Sequence, residues 1–180
     1  MQTLFYDDHL STALLTDGRP SIFLAGPTSA DYRTRWRLEA LRLLEDRGFS
    51  GMVIIPEFRD RLFCEAAADR FADDDCPVPG MRPASYNILD WETTGIEGVR
   101  CVMFWMPFAT AGRDASDSLP GFTTRAEVSR ELVRAPHRIV LGMPLGAFSS
   151  GHIRYHAHRS GVPIYETLKA TVNAALVHLA

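Results

Sequence analysis

The segment Gly121-Phe122-Thr123-Thr124-Arg125-Ala126-Glu127 follows the apolar run Cys101-Val102-Met103-Phe104-Trp105-Met106 and puts a carboxylate in the first turn of an expected helix. In open α/β sheets, ligands bind beyond the C-terminal ends of the strands. Glu127 is therefore the candidate nucleophile, and a helix N-terminus with neighbouring hydroxyls is expected to keep it ionised. Glu131, one turn further on, is the rival and reads as a solvated helix residue. No G-x-G-x-x-G follows the first strand and no G-x-x-x-x-G-K-[ST] occurs, which weighs against hydride and phosphoryl transfer. Carboxylate chemistry without a cofactor suits a glycosidic bond: one carboxylate attacks the anomeric carbon and a second acid helps the leaving group depart. The bond is N-glycosidic as readily as O-glycosidic.

A metal is not expected. His152, Tyr155, His156 and His158 put two imidazoles at i and i+4, but a third ligand is missing from the pattern. Asp73-Asp74-Asp75 reads as a solvated run.

Alternating strand and helix signals must position these groups. Ile22-Phe23-Leu24-Ala25 is a short buried strand ending in the turn Gly26-Pro27-Thr28-Ser29. A helix over 33–47 follows, with Trp36, Leu38, Leu41, Leu43 and Leu44 as its apolar stripe and Gly48 as its stop. Met52-Val53-Ile54-Ile55 is the second strand, closed by Pro56. Residues 58–86, charged and proline-containing, read as an inserted lid or oligomer contact. A helix over 87–99 leads into the strand at 101–106, and the helix carrying Glu127 runs to about Arg134. A strand at 138–142, a helix at 152–159, a strand at 162–165 and a closing helix at 166–179 complete the pattern. Five strands alternating with helices predict an α/β fold: a doubly wound parallel sheet covered on both faces, in flavodoxin-like (Rossmann-like) order. Residues 1–20 read as an N-terminal extension and 21–180 as one domain.

Composition bounds the function. The chain has 180 residues, 46% of them hydrophobic and 23% charged, enough for one substantial core. A net charge of −3 with interspersed signs offers no footprint for a nucleic acid polymer, so a small substrate is expected. The first residues lack the pattern of a signal peptide and no run is long enough to span a bilayer, so a cytoplasmic protein without membrane contact is expected. Cys64, Cys76 and Cys101 lack metal or disulfide spacing and read as reduced thiols, with Cys101 in a core strand. Trp36 and Trp105 read as core anchors.

The ordered set Ile22-Phe23-Leu24-Ala25-Gly26-Pro27-Thr28-Ser29, Trp36-Arg37-Leu38-Glu39-Ala40, Ile54-Ile55-Pro56-Glu57, Asp90-Trp91-Glu92, Phe104-Trp105-Met106-Pro107, Phe122-Thr123-Thr124-Arg125-Ala126-Glu127 and Leu141-Gly142-Met143-Pro144 resembles the nucleoside 2-deoxyribosyltransferase family. The resemblance runs from Ser21 to the C-terminus. It implies a flavodoxin-like fold and a glycosyltransferase of nucleotide salvage that moves 2-deoxyribose between nucleobases by a retaining double displacement, with no cofactor. It implies Glu127 as the nucleophile that becomes a glycosyl ester and Glu92 as the acid that handles the leaving base, with Asp90 as its understudy. A place beside Trp91 in a partly apolar wall would help Glu92 hold its proton. Ala25, Gly26 and Pro27 would floor the site, and Phe122, Thr123 and Thr124 would line the sugar pocket. The implied partners are a nucleoside or nucleotide, a free nucleobase, and further copies of the chain in a homo-oligomer.

The chain departs from the family pattern at three places. Gly121 stands where many members carry an Asp that binds the sugar 5′-hydroxyl, Arg100 stands where an Asp is frequent, and Ser129 stands where a Gly commonly follows the nucleophile. Thr123 or Thr124 would then serve the 5′ end, or a 5′-phosphate is accepted. Three functions stay open: the transferase, a nucleoside or nucleoside 5′-monophosphate N-glycosidase, and a non-catalytic nucleotide-binding module on the same fold.

Overall fold

In the computed structural model, residues 1–6, 8–27, 36–57, 83–107, 121–147 and 149–180 are described. They form β1 (Gln2–Leu4), α1 (Thr12–Leu15), β2 (Ser21–Ala25), α2 (Trp36–Glu45), β3 (Met52–Ile54), α3 (Pro83–Gly98), β4 (Cys101–Trp105), α4 (Phe122–Arg134), a 3-10 turn (Pro136–Arg138), β5 (Ile139–Gly142), α5 (Gly151–Arg159), β6 (Ile164–Tyr165) and α6 (Leu168–Leu179). Thr28, Ser29, residues 33–35 at the expected start of α2, residues 58–82 with Cys64, Cys76 and the triple Asp, and residues 108–120 lie outside the described residues.

The six strands pair in the order β1-β3-β2-β4-β5-β6, every pair parallel. Without β1 this is the flavodoxin-like order expected from the sequence. The expected count of five is one short, because Gln2, Thr3 and Leu4 pair in register with Met52, Val53 and Ile54. A three-residue strand carries too little alternation to announce itself, and its backbone is recruited by the open edge of β3. The segment read as an extension thus belongs to the sheet.

Each residue of β2 and β4 is buried, as in a parallel sheet covered on both faces. Phe23, Ala25, Val102 and Phe104 face a cluster closed by Leu15, Ile96, Val128, Leu132, Ile153 and Ala157, from α1, α3, α4 and α5. Ile22, Leu24, Cys101, Met103 and Trp105 face the other layer, where α2 and α6 supply Trp36, Ala40, Leu44, Leu168, Val172, Ala175 and Leu179. The strand period of two thus sorts one sequence into two cores. Trp36 and Trp105 are core anchors, as expected. The expected stripe of α2 needs a correction: Leu38 is 42% exposed, whereas Arg37 is buried with Trp36, Ala40 and Leu44. The spacing i, i+3, i+7 from position 37 is the helical face that meets the sheet, and Leu38 lies off it.

The chain moves outward from β2 to β3, then reverses to β4 on the other side of β2. In parallel sheets such a reversal marks the ligand crevice, here at the C-terminal ends of β2 and β4, where Ala25-Gly26-Pro27 and Trp105-Met106-Pro107 leave the sheet.

Candidate functional site

The floor is set by a close approach that only glycine permits. A Cβ on Gly26 would lie 2.5 Å from the Trp105 carbonyl oxygen and 2.7 Å from the Trp36 ring, so the turn after β2 can pack against β4 only without a side chain there. Ala25, Gly26 and Pro27 are all buried at this point.

Arg37 holds the turn from below. Its Nε donates to the Leu24 carbonyl at 3.1 Å, Nη2 to the Gly26 carbonyl at 2.7 Å, and Nη1 to the Pro27 carbonyl at 3.2 Å and to Glu57 Oε1 at 2.6 Å. The guanidinium also stacks 4.5 Å from the centre of the Trp36 ring. Burial alone lowers the Arg37 pKa, and Glu57 opposes that fall.

Glu92 reaches the site from α3. Its carboxylate accepts a hydrogen bond from the Tyr6 hydroxyl, and the Tyr6 ring meets Trp91 edge to face at 4.9 Å. Trp91 is fixed in turn by Phe23, 6.3 Å away, and by its Nε1 donating to the Asp8 carbonyl at 3.3 Å. The close crossing of α3 over β2 makes this placement possible: a Cβ on Gly95, one turn after Glu92, would stand 2.6 Å from the Phe23 ring. Burial raises the Glu92 pKa, while the Tyr6 hydrogen bond and the Arg37 charge lower it. The partly apolar wall expected beside Trp91 is present.

Glu127 approaches from α4, though not from its first turn. Gly121, at φ 63° in the left-handed region, turns the chain straight into a helix that opens at Phe122, so Glu127 falls in the second turn. A helix dipole acts within the first turn, so the expected electrostatic help is lost. The carboxyl is instead pushed up to about 7, first by burial and then by the facing Glu92. Arg130 and Arg37 pull against that rise. Tyr6 feels the same field: burial, Glu92 and Glu127 drive its hydroxyl far above the ordinary tyrosine range. Glu127 and Glu92 are thus an electrostatically coupled pair, backed by Tyr6 and Arg37.

The remaining expected residues divide. Thr124 is buried, one helical turn before Glu127 and Val128, whereas Phe122 is 72% exposed and Thr123 is also exposed. Asp90 is exposed on α3, because two residues from Glu92 is about 200° around a helix and points the two carboxylates to opposite sides. Glu131 is not a solvated residue: it is wholly buried, 2.9 Å from Arg130 Nε, 3.5 Å from Arg138 Nη2 and 3.8 Å from Arg134 Nη1. Arg138 also donates to the carbonyls of Ile96, Glu97 and Val99 at the end of α3. Glu131 therefore ties α4 to α3. On α5, His152 and His156 stack edge to face at 4.3 Å. Among the described residues, no three His, Cys, Asp or Glu side chains gather as metal ligands would.

Sequence reasoning gave Tyr6, Arg37 and Glu57 no role. The spacing 37, 40, 44 could have flagged Arg37 as a cation on a buried face. Tyr6 follows a strand that the sequence did not reveal, and Glu57 gains its place at the site by pairing with Arg37.

No protein-family model matches the chain, and no curated protein matches it. Among the described residues, no helix is long and apolar enough to cross a membrane.

Proposed function

We propose that this protein is a glycosyltransferase of the nucleoside 2-deoxyribosyltransferase kind, moving 2-deoxyribose between nucleobases through a covalent ester on Glu127. One observation carries the reading: the charge of Glu92, on α3, raises the carboxyl of Glu127, on α4, and the Tyr6 hydroxyl donates to Glu92. Partly buried like charges held together are costly, and they persist at sites that use a shared proton.

The pair holds one proton, which rests on Glu127 because the Tyr6 hydrogen bond and Arg37 favour an ionised Glu92; the reactive form is the minor one in which that proton has passed to Glu92. The ionised Glu127 oxygen bonds to the anomeric carbon as the N-glycosidic bond breaks; the bond's electrons go to the base nitrogen, which takes the proton from Glu92. In the second half an incoming base attacks the same carbon, the ester bond breaks to restore the Glu127 carboxylate, and the base's N–H proton returns to Glu92. Atoms and charge balance over the cycle, and no cofactor is needed. The Tyr6 hydroxyl stabilises Glu92 whenever it is ionised. Ala25, Gly26 and Pro27 supply a close-fitting floor and Thr124 a hydroxyl near the reacting sugar. A nucleoside or nucleotide and a free base as partners, a homo-oligomer and a cytoplasmic location belong to the same reading.

Incubation with a panel of deoxynucleosides and a free base, followed by mass spectrometry of products and intact protein, tests the proposal. Transfer to the added base and a pentosyl adduct that disappears in Glu127→Ala are expected, and Glu92→Gln should slow transfer by about 10²–10⁴-fold. Transfer that survives Glu127→Ala would refute it. Free sugar formed regardless of acceptor identifies an N-glycosidase instead.

A further inference from the structure

A fully buried arginine is expensive unless its donors are met and its charge is answered. Arg37 is 2% exposed and is committed to a short stretch of chain. Its three carbonyl acceptors belong to Leu24, Gly26 and Pro27, at and just beyond the point where β2 leaves the sheet. Pairing of β2 with β3 ends at Phe23, and the planar guanidinium fork meets the Leu24, Gly26 and Pro27 carbonyls beyond it; a lysine could not span them. Glu57, just beyond the end of β3, neutralises the fork from the other side. The guanidinium therefore ties β2, β3 and α2 together below the crevice.

The same cation acts on the carboxyl pair. Among the described residues, Tyr6 after β1, Glu57 after β3 and Glu92 on α3 act on Arg37, and Glu127 on α4 feels Arg37, Glu92, Arg130 and Glu131. Arg130 acts on Glu127 more strongly than Arg37, but its side chain is 42% exposed and free to move in water, whereas Arg37 is held in a fixed, dry position. Glu57 spends part of that positive charge.

We propose that Arg37 is a positioning residue of the site: it shapes the floor turn at 24–27 and supplies a fixed buried cation, moderated by Glu57, that sets how Glu92 and Glu127 share a proton. The inference rests on the proposed use of the carboxyl pair, but its test does not require turnover. Carbon-13 carboxyl NMR titration of the full chain, with Glu92→Gln and Glu127→Gln used for assignment, reads the two midpoints directly.

Arg37→Met removes the cation and should move both midpoints up. Glu57→Gln leaves the cation less neutralised and should move both down. A scaffold role alone would not produce opposite shifts. Arg37→Lys keeps the charge but loses the fork, so its midpoints should stay near wild type while KM rises more than kcat falls. If Arg37→Met does not fold, Glu57→Gln and Arg37→Lys still decide. Unmoved midpoints in Glu57→Gln, or shifts of the same sign in Glu57→Gln and Arg37→Met, overturn the proposal. Transfer that survives Glu127→Ala overturns the reading of the reaction and leaves the titration result standing.

Discussion

Replacing Glu127 with Gln keeps the size of the side chain and removes its charge, and the structure fixes the sign of the consequence. The carboxyl is raised from 4.5 to about 7 in the folded protein. An acid raised in this way binds its proton more tightly folded than unfolded. Its contribution is therefore most favourable below about 4.5, is lost as pH rises through the window from 4.5 to about 7, and is flat above. At ~1.4 kcal/mol for each pH unit, keeping Glu127 ionised costs the native state about 3 kcal/mol in mildly alkaline solution. Burial is the larger cause and the facing Glu92 the next. Glu127→Gln is therefore expected to be more stable than wild type by about 2–3 kcal/mol near pH 8, and by about 1 kcal/mol or less near pH 5. Urea unfolding followed by tryptophan fluorescence measures both, and the alkaline gain should move the midpoint by roughly 1 M. An equal offset at the two pH values, or a loss of stability at the higher one, would refute the reasoning. The variant should be inactive, so stability and activity are expected to move in opposite directions.

Transfer activity should follow a bell-shaped pH profile in kcat/KM, with an alkaline limb near pH 7 where the shared proton is lost, and Glu92→Gln should erase that limb. Gly26→Ala would press a methyl group to 2.5 Å from the Trp105 carbonyl and is expected to cost about 1–3 kcal/mol in urea unfolding. Glu131→Ala would strip Arg130 and Arg138 of their buried counter-charge and should cost roughly 2–4 kcal/mol by the same assay, with the folded fraction still forming the glycosyl adduct.

The central strands were legible because burial on both faces leaves continuous apolar runs, as in Ile22 to Ala25 and Cys101 to Trp105. The two ends of the site followed from their order, since Gly26 directly follows β2 and Glu127 lies on the helix that follows β4. What stayed hidden depended on tertiary partners. β1 exists because β3 offers an unpaired edge, and Tyr6 enters the site only as its continuation. Arg37 and Leu38 exchange their expected places by one helical step, a shift that decides whether a cation or a leucine meets the sheet. The start of α4 moved as well: reading Glu127 as a first-turn residue predicted an ionised side chain, but a helix opening at Phe122 carries it beyond the dipole's reach.

The strongest reason to assign chemistry to Glu127 is its contrast with Glu131, one turn along the same helix. Both are drawn toward the protein interior, but Glu131 is surrounded by Arg130, Arg134 and Arg138 and its charge is answered on every side. Such a group is a structural tie between α3 and α4, stable and inert. Glu127 is held where burial and Glu92 both oppose its ionisation, with Arg130 and Arg37 only partly offsetting them. A helix needing only to pack would place leucine or alanine there, as the fold already does at Leu132. An under-compensated carboxyl is unfavourable for folding, and its midpoint near neutrality makes it suited to gaining and losing a proton during a reaction. The two glutamates thus separate by electrostatic environment rather than by burial: the better-buried one stabilises the fold, and the worse-compensated one is available for catalysis.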